Sequence, residues 1–473
     1  MVFPIAGGTQ DTSYEIENSL RFNDDDSPYL SRTPSTATNN DKLTFSFWAK
    51  RSTPSANHKI LTRYSSVDNR FYIGWANNDK LYIYQKVGGT ESFNLQTNRL
   101  FRDPSAWYHI VVAYDTTQST EANRIKLYVN GTQETSFSNT SYPSQNLDLY
   151  YQTATSVVAY IGQYTSSQYY DGYFSDMHLI DGQQLDSSYF GETNDNGVWI
   201  PKKYTGTYGD EGFKLEFKQT GTGTNSSGMG ADTSGNDNHW APSNLAATDV
   251  TEDTPTNNFM TFNSLSNLSG PTLSEGNTQM AHDSSNDAAV FGTFGLSNGK
   301  WYWELKGIET DQSGVQKWTP GVIGSEDHTF YSNRDGGYAP KATALYLGNG
   351  NVYQNNSSVS SAYFTATQND IIQIALDADN NKIYFGKNGT YGNSGDPTSG
   401  STGTGAVSLT ASHAPFIPHF GEGTGHEIKV QANFGNAPFS ISSGNTDGKY
   451  GNFEYAPPSG YYALCTKRLA EFG

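Results

Sequence analysis

The sequence lacks the features that mark several common protein classes. It has one cysteine, Cys465, in 473 residues, so no disulfide bond can form within the chain. It has 29 Lys and Arg against 47 Asp and Glu, which gives a net charge of −18. We find no basic stripe, and we expect no nucleic-acid partner because binding to phosphates requires clustered positive charge.

Long apolar runs and helix signals are also scarce. No run approaches the roughly 20 apolar residues that cross a bilayer, so we expect no membrane partner. The first residues, Met1–Gly8, have neither a basic nor an apolar region and do not resemble a signal peptide. We therefore expect synthesis in a host cytoplasm. Only Lys467–Phe472 could form a turn or two of helix.

What the chain does contain is aromatic residues and glycine. Only 35% of its residues are hydrophobic, yet 14% are aromatic and 48 are Gly. Disordered chains have few aromatic residues, so this composition indicates thin cores that are filled by large rings. Short strands joined by tight turns have this composition, which predicts an all-β protein.

Apolar residues alternate with polar ones in many short segments. In Arg124–Val129, the side chains of Ile125, Leu127 and Val129 share one face, as a half-buried strand requires. Asn130-Gly131 follows, and this pair favours the positive φ angles of a tight hairpin. The segment 382–390 repeats the pattern and also ends in Asn-Gly-Thr. The repeat is compatible with two domains of one sandwich class, or with two unrelated hairpins that share a favoured turn.

Composition also indicates where the domains begin and end. A Thr/Asp/Pro-rich stretch near 249–256 separates two series of strand patterns. We predict an N-terminal arm over 1–19, a sandwich over 20–250, a linker over 251–258 and a second sandwich over 259–473.

The first half resembles the laminin-G-like, concanavalin-A-type jelly roll. The residues that carry this resemblance are Phe45–Lys50, Trp107–Asp115, Ile125–Gly131, Tyr160–Gly162 and Tyr170–Asp176. The second half resembles a SPRY-type β-sandwich, through Gly299–Glu304, Gly321–Gly324, Asp370–Asp377, Lys382–Gly389 and Pro415–Pro418. The two resemblances imply a fold of two jelly-roll-type β-sandwich domains in tandem.

The whole chain is also similar to virion structural proteins of marine tailed phages. This similarity rests on Ser19–Asn23, Tyr29–Pro34, Ala231–Asn238 and Thr254–Phe259. It implies a virion surface protein, such as a tail-fibre or spike-type adhesin, that binds host-surface glycan. Two alternatives stay open: a structural virion component that binds no glycan (head fibre, decoration or adaptor protein), and a tailspike depolymerase.

The same resemblance implies partners. We expect contacts with other virion proteins through the N-terminal arm. We also expect a homo-oligomer, with a trimer as one option, although no heptad run supplies a trimer stem.

We find no sequence pattern for catalysis and expect no enzyme. Jelly-roll glycoside hydrolases need two carboxylates about 5–10 Å apart. Phe213–Phe217 offers only Glu216 and Trp301–Leu305 offers only Glu304, although carboxylates from distant strands could still converge. We expect no cofactor. The laminin-G resemblance makes Asp171 a weak candidate for a calcium ligand at the sandwich rim.

Binding to a glycan would use exposed rings against the apolar faces of sugars. The candidates are aromatic residues in predicted loops: Tyr164, Tyr169 and Tyr170 in the first domain, and Trp318 and Tyr331 in the second. The alternative is that each ring packs on neighbouring loops or on a partner subunit.

Overall fold

The computed structural model describes residues 14–268, 270–282, 288–309, 317–324, 341–355, 357–361, 363–422 and 428–473. The described chain divides into two compact units, one that ends at Thr256 and one that runs from Asn257 to Gly473. The regular secondary structure of both units is mainly β-strand, which confirms the predicted fold of two β-sandwich domains in tandem.

The first unit contains the following strands and one short helix. They are β1 (Ser19–Phe22), β2 (Tyr29–Arg32), β3 (Lys42–Arg51), β4 (His58–Ser66), β5 (Asn69–Trp75), β6 (Leu81–Val87), β7 (Thr90–Thr97), β8 (Trp107–Asp115), β9 (Ile125–Val129), β10 (Thr132–Glu134), β11 (Phe137–Ser141), α1 (Tyr150–Thr153), β12 (Ala159–Ile161), β13 (Gly172–Asp181), β14 (Gly191–Thr193), β15 (Trp199–Pro201), β16 (Phe213–Leu215), β17 (Ala241–Ser243) and β18 (Val250–Thr251).

These strands form two large sheets and one small hairpin. Sheet A has the order β10-β9-β8-β3-β13-β1-β18, with β16 also paired to β13. Sheet B has the order β11-β7-β6-β5-β4-β12-β2-β17, and β14 pairs only with β15. The inner faces of the two sheets share one apolar core. The rings of Phe71 in sheet B and Tyr114 in sheet A lie 6.1 Å apart between centroids.

The alternation predicted for β9 is present. Ile125, Leu127 and Val129 are buried in the core, while the residues between them are partly exposed. Asn130 and Gly131 follow with φ angles of 47° and 80°, as a two-residue hairpin turn with two left-handed residues requires. Gly131 is also required because the Trp199 ring occupies the space that a Cβ would fill.

Both ends of the first sandwich differ from the predicted boundaries. Residues 251–256, predicted as part of a linker, pack within the first unit, where buried Asp253 pairs with buried Lys50 at 2.8 Å. Residues 14–19 of the predicted arm also pack there: the backbone N–H of Ile16 donates to the Thr256 hydroxyl, and Ser19 begins β1. Residues 1–13 lie outside the described part of the chain.

The second unit contains a further series of strands and a C-terminal helix. They are β19 (Phe262–Leu268), β20 (Thr272–Ser274), β21 (Gln279–His282), β22 (Ala288–Gly292), β23 (Lys300–Glu309), β24 (Trp318–Gly324), β25 (Ala342–Tyr346), β26 (Asn351–Gln354), β27 (Ser357–Ser360), β28 (Ile371–Asp377), β29 (Lys382–Lys387), β30 (Thr390–Tyr391), β31 (Val407–Ser408), β32 (Phe416–Glu422), β33 (Ile428–Asn433), β34 (Tyr462–Ala463) and α2 (Thr466–Phe472).

Two sheets again face each other across an apolar core. Sheet C has the order β19-β22-β32-β24-β25-β26-β27, and sheet D has the order β20-β21-β33-β23-β28-β29-β30, with β31 on β29 and β34 on β23. Trp318 of sheet C and Trp301 and Trp303 of sheet D lie in the same core. Helix α2 covers the segment for which the sequence predicts a turn or two of helix.

A buried carboxylate holds the C-terminal segment against sheet D. Glu304 accepts hydrogen bonds from the Tyr302 hydroxyl, the Asn433 side chain and the backbone N–H groups of Glu454 and Tyr455. Each oxygen of Glu304 therefore has partners, which is the condition for a carboxylate to be tolerated in a core. Glu304 is thus explained by a structural role.

One histidine of the first core lacks such partners. His58 is buried beside Tyr170, and neither ring nitrogen has a hydrogen-bond partner among the described residues. Burial, together with the charges of Arg51 and Lys59, lowers the pKa of His58 to about 3. The folded protein therefore binds a proton at this site less readily than the unfolded chain, whose histidines titrate at about 6.5.

We predict that His58 makes the first unit less stable as the pH falls from about 6.5 towards 3, because the unfolded chain takes up a proton that the folded state excludes. As the pH falls through this range, the unfolding free energy of the wild type should decrease more steeply than that of His58→Met. The difference in slope should be about 1 kcal/mol per pH unit. Urea unfolding at a series of pH values measures this difference. His58→Gln is the matched control, since it also cannot titrate but keeps a buried polar group. Equal pH dependence in the wild type and both variants would refute the assignment.

Candidate functional site

The aromatic residues that the sequence predicts for ligand binding differ in exposure: some are at the surface and others are buried. Tyr164 and Tyr169 lie in the loop between β12 and β13, and both are partly exposed. Tyr170 is fully buried, and its hydroxyl donates to the backbone carbonyl of Lys50 at 3.1 Å. Its ring stacks on Phe174 with 3.9 Å between centroids. A ring enclosed in this way has no surface to offer a sugar, so Tyr170 leaves the candidate set.

Trp318 leaves the candidate set for the same reason. It lies in β24 rather than in a loop, is fully buried, and packs on Phe420 with 5.0 Å between ring centroids. Tyr331 lies outside the described residues.

Asp171, the candidate calcium ligand, is buried and accepts a hydrogen bond from the Thr53 hydroxyl. Within the described part of the chain, no group of three or more His, Cys, Asp or Glu side chains has the arrangement of a metal site.

The outer faces of the two sheets in the first unit differ in what covers them. The chain itself covers much of sheet A. Trp199 from the β14–β15 hairpin donates its indole N–H to His109 of β8 at 3.0 Å, and Phe190 and Tyr204 pack on Val111 and Ile180.

Charged groups hold other segments on the outer face of sheet A. The Tyr14 hydroxyl donates to buried Asp176 at 3.1 Å, and Asp176 also lies 3.1 Å from the Nε2 atom of His178 and 3.6 Å from the Nζ atom of Lys214. Because these polar groups bind each other inside the fold, they have a structural explanation.

The outer face of sheet B instead presents a group of tyrosines. Tyr72 of β5 lies directly opposite Tyr84 of β6 on one side and Thr62 of β4 on the other. Tyr160 of β12 pairs with Thr62 in turn. We call this surface the tyrosine face, and its aromatic members are Tyr29, Tyr64, Tyr72, Tyr82, Tyr84, Tyr160 and Tyr164.

The rings of the tyrosine face support one another. The rings of Tyr72 and Tyr84 are stacked with 5.0 Å between centroids and 13° between planes. Tyr164 approaches Tyr72 and Tyr64 edge-on, at 5.7 and 5.1 Å. Tyr164, which the sequence nominates from a loop, therefore joins rings that belong to the strands.

The sequence contains a signal for these strand residues that a search of predicted loops misses. In Phe71–Trp75 and Leu81–Ile83 the core residues alternate with Tyr72 and Tyr82, so period two already places these tyrosines on the face away from the core. The pattern does not show whether another segment of the chain covers that face.

A lysine lies within the tyrosine face. The Nζ atom of Lys59 is 4.6 Å from the ring centroid of Tyr72, 4.7 Å from that of Tyr82 and 5.6 Å from that of Tyr164. It also donates a hydrogen bond to the Tyr82 hydroxyl at 2.8 Å. Aromatic rings attract a cation through their negative faces, so this arrangement holds the rings and the ammonium group together.

Gly74 makes this placement of Lys59 possible. It lies opposite both Lys59 and Tyr82 on the neighbouring strands, and a Cβ at this position would lie 2.5 Å from the carbonyl oxygen of His58 and 3.0 Å from the Cδ atom of Lys59. The missing side chain leaves the lysine stem room to cross β5. Burial, and secondarily the charge of Arg70, lowers the pKa of Lys59 to about 7.

The sequence matches two family models, one in each half of the chain. Residues 24–186 match the model described as the concanavalin A-like lectin/glucanases superfamily, and residues 300–437 match the model of the SPRY domain. The chain has a concanavalin A-like domain followed by a SPRY domain. This confirms the two domain types predicted from the sequence. The concanavalin A-like match includes β2, β4–β6 and β12, which carry the strand tyrosines of the tyrosine face.

Solved structures show likenesses to parts of the chain. The SPRY domain of human HERC1 shares 17% identity, with 36% of this chain and 96% of that chain covered and a TM-score of 0.30. A heptameric SAP-like pentraxin from Limulus polyphemus shares 15% identity over 37% of this chain and 80% of that chain, with a TM-score of 0.27.

A candidate carbohydrate binding protein from Bacteroides ovatus shares 13% identity over 48% of this chain and 58% of that chain, with a TM-score of 0.31. The comparison with curated proteins gives no match. Among the described helices, none has the length and apolar character to span a membrane.

We predict that Lys59 titrates near pH 7, because the folded chain removes its ammonium group from water. NMR of protein with ¹³Cε-labelled lysine should show one resonance with a midpoint near pH 7, while exposed lysines titrate at about 10.4. The resonance should be absent from Lys59→Met. In Tyr82→Phe the midpoint should fall further, because this variant removes a hydrogen bond that stabilises the charged form of Lys59. A midpoint for Lys59 near that of the exposed lysines would contradict the described burial.

Proposed function

We propose that the chain is a non-catalytic carbohydrate-binding protein on the surface of a tailed-phage particle, and that it binds host glycan through the tyrosine face. The observation that carries the proposal is a continuous set of partly exposed rings on an outer sheet face of a concanavalin A-like domain. Tyrosine suits such a surface because its ring packs on the apolar face of a sugar while its hydroxyl forms hydrogen bonds.

The geometry of the face supports this use. Tyr64, Tyr82, Tyr160 and Tyr164 are partly exposed, whereas Tyr72 and Tyr84 beneath them are each only 8% exposed. The buried rings and Lys59 thus form a fixed base, and the partly exposed rings form the contact surface. Rings that are already held in place lose little conformational entropy when a ligand binds.

The phage origin and the virion location rest on the similarity of four segments, Ser19–Asn23, Tyr29–Pro34, Ala231–Asn238 and Thr254–Phe259, to virion structural proteins of marine tailed phages. Attachment to other virion proteins through the N-terminal residues, and assembly as a homo-oligomer, belong to the same proposal. If the rings of the tyrosine face instead contact other virion proteins, the chain is a structural component, and no glycan should bind.

We predict that purified full-length protein binds a subset of polysaccharides on a glycan array, and that Tyr64→Ala combined with Tyr160→Ala lowers the affinity about fivefold or more. Two lost ring contacts of about 0.5–1.5 kcal/mol each account for a change of this size. Neither ring lies among the contacts of Lys59 described above, so the base of the face is retained. The control is Tyr189→Ala, which removes a ring that is 49% exposed and lies in the 3-10 helix Ser187–Tyr189.

Wild-type affinity in the double variant would overturn the role of the tyrosine face, provided that its melting temperature matches that of the wild type. Absence of binding to any glycan by the wild type would favour the structural alternative.

The absence of catalysis is a separate expectation. Glycoside hydrolysis requires two carboxylates about 5–10 Å apart on either side of the bond. The described carboxylates that contact residues of the strands carrying these tyrosines are Asp68, which is exposed and paired with Lys86, and Glu211, which is buried and paired with Arg32 of β2. We predict no release of reducing sugar from any polysaccharide that the protein binds. Sustained release by the wild type would instead identify a depolymerase.

A further inference from the structure

The charge of the tyrosine face differs in sign from that of the whole chain. Strands β4, β5 and β6 contain no Asp or Glu, whereas the complete chain has 47 such residues and a net charge of −18. The same strands contain Lys59, Arg63, Arg70 and Lys86. Arg63 is buried and donates to the backbone carbonyls of Tyr151 and Val157, so it is explained by the fold.

Arg70 is not explained in that way. The Nη1 atom of its guanidinium donates a hydrogen bond to the carbonyl oxygen of Val67 at 2.8 Å. The guanidinium also lies 5.2 Å from the centroid of the Tyr84 ring and interacts with the hydroxyl groups of Tyr84 and Tyr164. Among the described residues it has no carboxylate partner. Most other described arginines have either an ion pair or several carbonyl acceptors.

The residues opposite Arg70 on the adjoining strands include no carboxylate. Arg70 lies directly opposite Lys86 on β6. Lys86 has a partner, since its Nζ atom lies 3.2 Å from Asp68. On the other side Arg70 lies opposite Tyr64 of β4. The partly exposed guanidinium therefore lies among tyrosine rings and carries a positive charge that no described acidic residue neutralises.

We propose that the ligand of the tyrosine face is an acidic saccharide, whose carboxylate or sulfate group pairs with Arg70 while its sugar ring packs on the neighbouring tyrosines. This inference rests on the proposed glycan-binding function and specifies its ligand class. A guanidinium presents parallel N–H groups that match the oxygen pairs of carboxylate and sulfate, and it stacks on aromatic rings.

The local charge must act against the charge of the whole chain. At physiological salt, fields are screened over about 8 Å, so an anion in contact with the face interacts chiefly with Arg70 and Lys86. The net charge of −18 predicts weak attraction for acidic polymers at long range. Preferential binding of an acidic saccharide would therefore identify a local site rather than a general charge effect.

The test compares polymers that differ only in charge. The probes are polygalacturonate against its methyl ester, and a sulfated galactan against the same galactan after desulfation. Full-length protein is assayed by calorimetry or affinity electrophoresis. We expect the wild type to bind one acidic polymer about tenfold more tightly than its neutral counterpart, the worth of one hydrogen-bonded charge pair. The pair that shows the preference distinguishes carboxylate from sulfate, and the preference should shrink as NaCl is raised.

The variants locate the effect. Arg70→Gln should bind the acidic polymer no better than the neutral one, and Arg70→Lys should keep part of the preference because it keeps the charge. Lys203→Gln is the matched control, since it also removes one positive charge from an exposed residue of the first unit. It should retain the wild-type preference.

Two outcomes would overturn the inference and leave the proposed function intact: equal binding of acidic and neutral polymers by the wild type, or an unchanged preference in Arg70→Gln. If the wild type binds none of the four polymers and no glycan on the array, the proposed function fails as well.

Discussion

Every β-strand presents side chains to two sides, and a sandwich of two sheets buries only one side of each sheet. The chain must therefore cover, or make soluble, two further faces in each unit. In the first unit it does both. Segments that follow β13 cover the outer face of sheet A, and the outer face of sheet B carries tyrosines. The position of the candidate site depends on this division.

The segments that cover sheet A account for most of the buried polar groups that could otherwise be mistaken for catalytic residues. The Lys50–Asp253 pair, the Trp199–His109 hydrogen bond and the Asp176 cluster each join a strand of sheet A to a segment from elsewhere in the first unit. A buried charge is tolerated only when it is paired, and here the pairing brings covering segments onto the sheet. The density of His, Asp and Trp on this face is therefore a consequence of packing.

On sheet B, tyrosine satisfies two requirements at once. The rings bury apolar surface against one another and against the stem of Lys59, while the hydroxyl groups remain compatible with water. This gives the face a rigid base in a protein with little aliphatic core. Lys59 and Arg70 have different roles in this arrangement. Lys59 is 1% exposed and its Nζ atom donates to Tyr82, whereas Arg70 is partly exposed and has no described acidic partner.

The sequence by itself determined the features that local geometry controls. Period-two alternation identified the strands, and Asn-Gly pairs identified hairpins whose turn residues have positive φ, at Asn130–Gly131 and again at Asn388–Gly389. Backbone sterics act within a few residues, so these features can be read from short segments. The aromatic content likewise indicated ordered sandwiches despite low hydrophobicity.

Only the tertiary structure decided which aromatic residues are exposed. Tyr164 and Tyr170 lie six positions apart in one loop region, yet Tyr164 is on the surface and Tyr170 is in the core. Alternation shows that a strand has two faces, but it does not show which segments from elsewhere in the chain cover the outer one. The contacts of Lys59 with Tyr72, Tyr82 and Tyr164 join residues far apart in sequence, and only the pairing of the strands brings them together.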